Sequence, residues 1–176
     1  MPVITTVTWG ATGVLAVVAA VADVRTRRVP NALTFGAAAA GMGYATVHGG
    51  LGGLESSVLG CLIGVGLFLP LFALGGMGGG DVKLLAAFGA WLGPLGVLWA
   101  AIWASLAGGI LALAVSIRRR YLREALRNVA AMASVWRAVG PSPIAGMTLA
   151  ESSGPRLAYA VAIGIGAVLS LWFSIG

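Results

Sequence analysis

Two aspartates are the side chains in this sequence that are best placed to do chemistry. Three of the five acidic residues, Glu55, Glu124 and Glu151, lie where a charge is readily solvated or balanced by arginines. Asp23 and Asp81 instead lie at the boundary between a long apolar run and a polar or glycine-rich stretch. An ionisable group at the end of a membrane helix is costly, which favours a functional role for both.

Two carboxyl groups held close together can hydrolyse an amide bond. They cannot both ionise, so the pair shares one proton. The ionised member takes a proton from water, and the protonated member donates to the carbonyl. Other hydrolytic designs lack their residues: His48 is alone and expected in a loop on the opposite side, Cys61 has no histidine nearby, and no HExxH motif occurs. We therefore expect hydrolysis without a metal or cofactor.

Each aspartate also has a purely structural interpretation. Asp23 can pair with Arg27, and Asp81 can cap the helix that follows it by accepting hydrogen bonds from amides near Leu84. These interpretations weaken when the two aspartates are taken together, because both are predicted on one side of a membrane. The helices that carry them can be neighbours in a small bundle.

The elements that must position the aspartates are membrane helices. The chain is 59% hydrophobic and 9% charged, with a mean hydropathy of +0.98, whereas roughly a quarter of a soluble domain is charged. The apolar runs are continuous rather than alternating, which predicts an all-α polytopic protein. Six spanning or nearly spanning segments are expected, with the fourth one short: residues 4–22, 32–47, 54–74, 82–92, 95–117 and 157–175. Pro30 separates the first two, and Asn31 can cap the second. A glycine-rich loop at residues 49–53 is expected before the third, and Gly93–Pro94 is the expected break between the fourth and the fifth.

The distribution of charge predicts the orientation. The net charge of +6 comes from arginines in short blocks between apolar runs, which is typical of cytoplasmic loops. This places the N-terminus outside a bacterial inner membrane and both aspartates at the cytoplasmic face. The tryptophans expected near the outer interface are Trp9, Trp91, Trp99 and Trp172. Anionic lipid headgroups explain the basic blocks, so no nucleic-acid partner is expected.

Residues 118–137 predict an amphipathic helix on the cytoplasmic surface. Leu122, Leu126, Val129 and Met132 recur at helical spacing, with arginines and Glu124 on the other face. Contact with the lipid surface accounts for this pattern. A docking surface for a substrate is the alternative.

Glycines are expected to matter in two places. Gly78, Gly79 and Gly80 precede Asp81 in a loop that can present backbone to an extended substrate, as strand addition does; a flexible linker is the alternative. The spacings Gly60/Gly64 and Gly89/Gly93 let helices approach closely. Packing within one bundle is favoured over dimerisation, and the sequence leaves the oligomeric state open.

Two motifs resemble those of the type IV prepilin peptidases. The stretch ADVRTRRVPN, from Ala22 to Asn31, carries an aspartate, basic residues and then a Pro–Asn pair. The stretch GMGGGDVKLL carries a GxGD motif as Gly78, Gly80 and Asp81. Their order and their separation by two membrane segments also match. GxGD alone is a weak signal, whereas the pair in a six-helix chain is a strong one.

The resemblance implies a membrane aspartic endopeptidase that removes the leader of prepilins or pseudopilins at the cytoplasmic face. Asp23 and Asp81 would be the catalytic pair. Seven other residues would shape the site: Arg25, Pro30, Asn31, Gly78, Gly79, Gly80 and Lys83. Larger family members also N-methylate the product and carry paired cysteines. Here no CxxC pair occurs and nothing precedes the first segment, so we expect residues 1–176 to form a single peptidase domain without a methyltransferase domain, as in Tad/Flp-type enzymes.

A different class of function is also consistent with the composition. A small transporter or a noncatalytic assembly factor would share the six helices, the glycine-rich packing and two acids at the membrane edge. A carrier, however, needs ionisable groups near the midplane of the bilayer. Both aspartates are predicted at one face, which favours the peptidase.

Overall fold

A computed structural model describes residues 6–120, 122–140 and 158–173, and all of the secondary structure in these ranges is helical. The helices are α1 (Thr6–Thr26), α2 (Asn31–Ala73), α3 (Gly79–Arg118), α4 (Leu122–Val139) and α5 (Tyr159–Phe173). The prediction of an all-α fold is confirmed for these residues. In the described part of the chain α1, α2 and α3 are long and apolar enough to cross a membrane, and α5 is a shorter apolar helix.

Helix α2 turns back on itself at Gly50. The predicted loop at residues 49–53 is wrong in extent, because only Gly50 leaves helical geometry, with φ 58° and ψ −144°. Glycine adopts this positive φ without a steric penalty. A Cβ on Gly53 would overlap the backbone of Ala45, an approach that a straight helix does not allow over eight residues. The two halves of α2 are therefore a helical hairpin, as the two predicted segments require.

Helix α3 has a matching break at Gly93, where φ is 71° and ψ is −176°. This confirms the break predicted at Gly93–Pro94. The first half of α3 begins at Gly79, so the short fourth segment expected from residue 82 is longer at its N-terminal end. Its side chains from Leu84 to Phe88 are almost completely buried, which makes this half the centre of the bundle. The number of membrane crossings stays a prediction.

Glycines bring α2 and α3 into backbone contact. A Cβ on Gly60 would overlap the carbonyl oxygen of Gly89, and one on Gly64 would lie 2.8 Å from the carbonyl oxygen of Leu85. The Ser57 hydroxyl donates to the Ala90 carbonyl at 2.7 Å across the same seam. The preference for internal packing of these glycines is confirmed. The close seam fixes the register between the two helices that follow the two sequence motifs.

Large aliphatic side chains cover the outside of the bundle. Val14 and Val17 on α1 are each 64% exposed, and Ile110 on α3 is 70% exposed. A soluble protein does not leave so much contiguous apolar surface in water. The exposed surface and the long apolar helices indicate a membrane protein.

Helix α4 begins later than predicted, at Leu122 rather than residue 118, and has few contacts with the rest of the described structure. Leu126 and Val129 are 61% and 59% exposed, whereas Met132 is half-buried. The helix is amphipathic by sequence, since Arg123 and Arg127 point away from its apolar residues. Its place on the cytoplasmic surface stays a prediction.

Candidate active site

Asp23 lies in the last turn of α1 and is only 7% exposed. Its Oδ2 accepts a hydrogen bond of 3.1 Å from the backbone amide of Ala160, at the start of α5. The predicted segment ended at residue 22, so the helix extends through this aspartate to Thr26. The carboxyl group is therefore held by a different helix from the one that carries it.

Asp81 lies in the first turn of α3 and is half-buried. Gly78 is the N-cap residue, with no side-chain cap, so the proposed capping of amides near Leu84 by Asp81 is wrong. The carboxyl group instead turns back to a hydrogen bond with the Gly78 backbone, as the acidic residue at position N3 of a capping box does. A Cβ on Gly78 would lie 3.2 Å from Oδ2, so a side chain at position 78 would crowd the carboxyl group.

The two aspartates lie at the same end of the bundle. They are close enough for the charge of Asp23 to act on the Asp81 carboxyl. Asp23 is buried, whereas Asp81 is half-buried. Two nearby carboxyl groups are the residue types that general acid–base catalysis uses.

Direct contacts join the two sequence motifs beside the aspartates. The Lys83 ammonium donates a 3.0 Å hydrogen bond to Asn31 Oδ1 and lies 5.5 Å from the centre of the Phe35 ring. A Cβ on Gly80 would lie 3.5 Å from the Val29 Cβ. The predicted cap by Asn31 is wrong, because Pro30 occupies the N-cap position of α2 and has no side-chain donor or acceptor. Asn31 binds Lys83 instead.

The glycine run before Asp81 is less of a loop than predicted. Gly79 and Gly80 belong to the first turn of α3, and only Gly78 is extended, with φ −79° and ψ 145°. A positive φ occurs earlier, at Gly75, where it is 76°. Among the three glycines, Gly78 alone has the backbone geometry that an added strand needs.

The remaining predicted site residues, Arg25 and Pro30, are exposed. Arg25 is in the last turn of α1, and Pro30 ends the connection to α2. The structure places them on the rim of the same end, whereas Glu151 lies outside the described residues. Among the described residues no group of histidine, cysteine and acidic side chains could hold a metal ion.

Comparison with known proteins identifies the family. Residues 11–113 match the type IV leader peptidase family. This matched range includes both aspartates and both motifs. The chain belongs to the type IV leader peptidase family. The comparisons with curated proteins and with solved structures give no significant match. Membership indicates a peptidase, in agreement with the expected resemblance.

At the end of this leader peptidase family member that lies opposite the aspartates, there is a separate cavity of about 590 Å³. It lies between the two glycine breaks and the start of α1, and its walls include Thr8, Tyr44, His48 and Trp91. His48 is in helix α2 rather than in the predicted loop, and its ring lies against that of Tyr44, with centroids 4.1 Å apart and planes tilted by 30°. The only histidine in the sequence therefore lies beside this cavity and far from the aspartates.

Two residues near the aspartates were missed by the sequence reasoning. Ala160 contributes only its backbone amide to Asp23, and a backbone group has no sequence signature. The Tyr159 side chain interacts with the hydroxyl of Ser105 and feels the charge of Asp81. The apolar run at residues 157–175 predicted α5 itself, and a phenol at its start is the one signal that could have associated this helix with the site. Both residues lie beyond the matched region, which ends at residue 113.

Proposed function

We propose that this chain is a membrane aspartic endopeptidase that removes the N-terminal leader of type IV prepilins or pilin-like proteins. Asp23 and Asp81 form the catalytic pair and activate a water molecule, with no metal or cofactor. The reaction takes place at the cytoplasmic face of a bacterial inner membrane, with the N-terminus outside. Residues 1–176 act as one peptidase domain without methyltransferase activity.

The observation that carries this proposal is the meeting of two acids from distant parts of the sequence. Asp23 and Asp81 are 58 positions apart in the sequence, and the fold brings them within electrostatic range of each other. The contacts between Lys83 and Asn31 join the motifs around them. Family membership supports the peptidase chemistry, since both motifs lie in the matched residues.

The proposed mechanism uses the pair as a general base and a general acid. The ionised carboxylate accepts a proton from water, whose oxygen attacks the carbonyl carbon of the scissile peptide bond. The protonated carboxyl donates its proton to the carbonyl oxygen. As the tetrahedral intermediate collapses, one of its hydroxyl groups returns a proton to the aspartate that had donated one. The C–N bond breaks, and the other aspartate passes the proton taken from water to the leaving amine. The aspartates return to their starting state, so no covalent intermediate forms.

The extended backbone at Gly78 supports a mode of substrate binding. A peptide beside Gly78 would have its scissile bond next to the half-buried Asp81. The exposed arginines and apolar side chains of α4 would contact anionic headgroups at the same membrane face. The substrate therefore reaches the aspartates from the surface rather than from the bilayer midplane.

Cleavage of a prepilin by the purified protein in liposomes tests the function. Asp23→Asn and Asp81→Asn should each lower the cleavage rate by at least about 100-fold, because an amide cannot exchange the proton that the pair shares. Glu55→Gln is the matched control, since Glu55 is an exposed acid far from both motifs in sequence. A near-normal rate in either aspartate variant would rule out the pair. A methylated product made with added S-adenosylmethionine would contradict the peptidase-only proposal.

A further inference from the structure

Helix α5 connects the helices that carry the two aspartates. Within the described structure α1 has few contacts with α3, whereas α5 packs extensively against both. The buried side chains along α5 include Ile163 and Leu171, which are completely buried. The distance between Asp23 and Asp81 therefore depends on how α5 is seated between α1 and α3.

One side of α5 lies against α1. The Ala160 amide donates to Asp23 at 3.1 Å. One turn further along, a Cβ on Gly164 would lie 3.0 Å from the Ala16 Cβ. Because residues four apart lie on one face of a helix, these two contacts form a continuous line that fixes the height of α5 along α1.

The other side of α5 lies against the second half of α3. A Cβ on Gly108 would lie 2.5 Å from the Tyr159 ring and 2.9 Å from its hydroxyl oxygen. A Cβ on Gly166 would lie 2.5 Å from the backbone nitrogen of Ala104. The Tyr159 ring also contacts Phe68 of α2, with ring centroids 6.2 Å apart. The phenol ring therefore packs against both α2 and α3.

The first turn of a helix is well suited to hold a carboxylate. Its amides have no partner within the helix, and the positive end of the helix dipole lies there. Ala160 is completely buried, so water does not replace Asp23 as the acceptor for its amide. The buried amide and the buried carboxylate therefore each depend on this hydrogen bond.

We propose that the first turn of α5 belongs to the active site, where the Ala160 backbone amide positions Asp23 and the Tyr159 side chain seats this turn against α2 and α3. This inference rests on the proposed function. It extends the working unit of the enzyme past the matched residues, which end at 113. Neither group reacts with the substrate, so both are positioning groups.

A backbone ester tests the amide without a change of side chain. Lactic acid at position 160, introduced by a suppressor tRNA, replaces the N–H with an oxygen. The matched control is 2-hydroxyisovaleric acid at position 161, because the Val161 amide donates to the Ala158 carbonyl, at 3.2 Å. In liposomes, the ester at 160 should lower kcat for prepilin cleavage at least about 10-fold, since a hydrogen bond to a charged group is lost. KM should stay within about twofold, and the ester at 161 should keep both constants.

Tyr159→Phe is the second variant, which retains the packing on Gly108 and removes the hydroxyl. Tyr159→Phe should lower kcat about 3- to 10-fold, with KM unchanged, as expected for the loss of the neutral hydrogen bond between Tyr159 and Ser105. The positioning role is wrong if the ester at 160 and Tyr159→Phe both cleave at the normal rate. An equal loss in the two esters would reduce the effect to helix stability and also overturn it. Asp23→Asn, assayed in parallel, separates these outcomes from a failure of the proposed function, since an active Asp23→Asn would refute the function itself.

Discussion

The close contact between α2 and α3 leads to a prediction in which two glycines of one helix respond in opposite directions. Gly60 and Gly66 both lie in the second half of α2. A Cβ on Gly60 would overlap Gly89 and lie 2.8 Å from the Gly93 carbonyl carbon, whereas a Cβ on Gly66 meets nothing within 4 Å. The comparison therefore separates the packing of the seam from the intrinsic effect of alanine on a helix.

The magnitudes follow from these contacts. The atoms that would clash with an alanine at position 60 belong to the backbone, so no rotation of a side chain relieves the contact. The helices must separate by roughly 1 Å, which forfeits up to about half of the dispersion energy between the atoms that face each other. We expect Gly60→Ala to lower the free energy of unfolding by about 1–3 kcal/mol, as overpacking does. Gly66→Ala should leave it unchanged or raise it by up to about 1 kcal/mol, because alanine restricts the unfolded chain.

The assay is reversible unfolding of each purified variant in mixed micelles, followed by circular dichroism as the fraction of a denaturing detergent rises. Prepilin cleavage is measured on the same preparations, because the seam sets the register between Asn31 and Lys83. Gly60→Ala should lose activity together with stability, while Gly66→Ala retains both. If the unfolding free energies of the two variants agree within about 0.5 kcal/mol, the backbone contact between α2 and α3 is not the source of stability that we infer.

Three further predictions concern the site and its supports. Lys83→Met and Asn31→Leu should each lower kcat/KM about 5-fold or more. The double variant should lose no more than the worse single variant, because the two side chains share one hydrogen bond. Additive losses in a double-mutant cycle would show that they act separately. Ser57→Ala should cost about 0.5–1.5 kcal/mol of unfolding free energy through loss of the bond to Ala90, with normal cleavage by the folded enzyme, and a loss of kcat would place Ser57 in the site. In a Cys61→Ala background, a nitroxide label attached at position 126 should collide more often with oxygen, which is enriched in lipid, than a label at position 123. The label at position 123 should collide more often with a water-soluble nickel reagent. Equal exposure of the two labels to the nickel reagent would contradict contact of α4 with lipid.

Much of the fold follows from local properties of the sequence. The helical segments were predictable because uninterrupted apolar runs satisfy their backbone within a membrane only as helices. The break at Gly93 was predictable because a Gly–Pro pair disfavours a regular helix. The extents of the breaks were not, since a single glycine at Gly50 with positive φ is sufficient to reverse α2. The sequence pattern predicts a turn of five residues there.

The capping assignments failed for a related reason. Asn31 and Asp81 are residue types that favour N-caps, and local propensity alone assigned both to this role. In the structure Pro30 and Gly78 are the N-cap residues. The Asn31 side chain is instead used by Lys83, which is 52 positions away. A contact over that distance in sequence depends on how two hairpins pack, and no local pattern encodes it.

By itself, the sequence determined that this is a helical membrane protein with two acids at helix ends and the motifs of a leader peptidase. These properties depend on composition, on periodicity and on short runs of residues. Only the tertiary structure decided which groups surround the acids. The amide of Ala160 reaches Asp23 because α5 is seated between α1 and α3, and its closeness to both depends on glycines that let backbones touch. Such contacts arise from the packing of whole helices, so the setting of Asp23 and Asp81 is a property of the folded bundle.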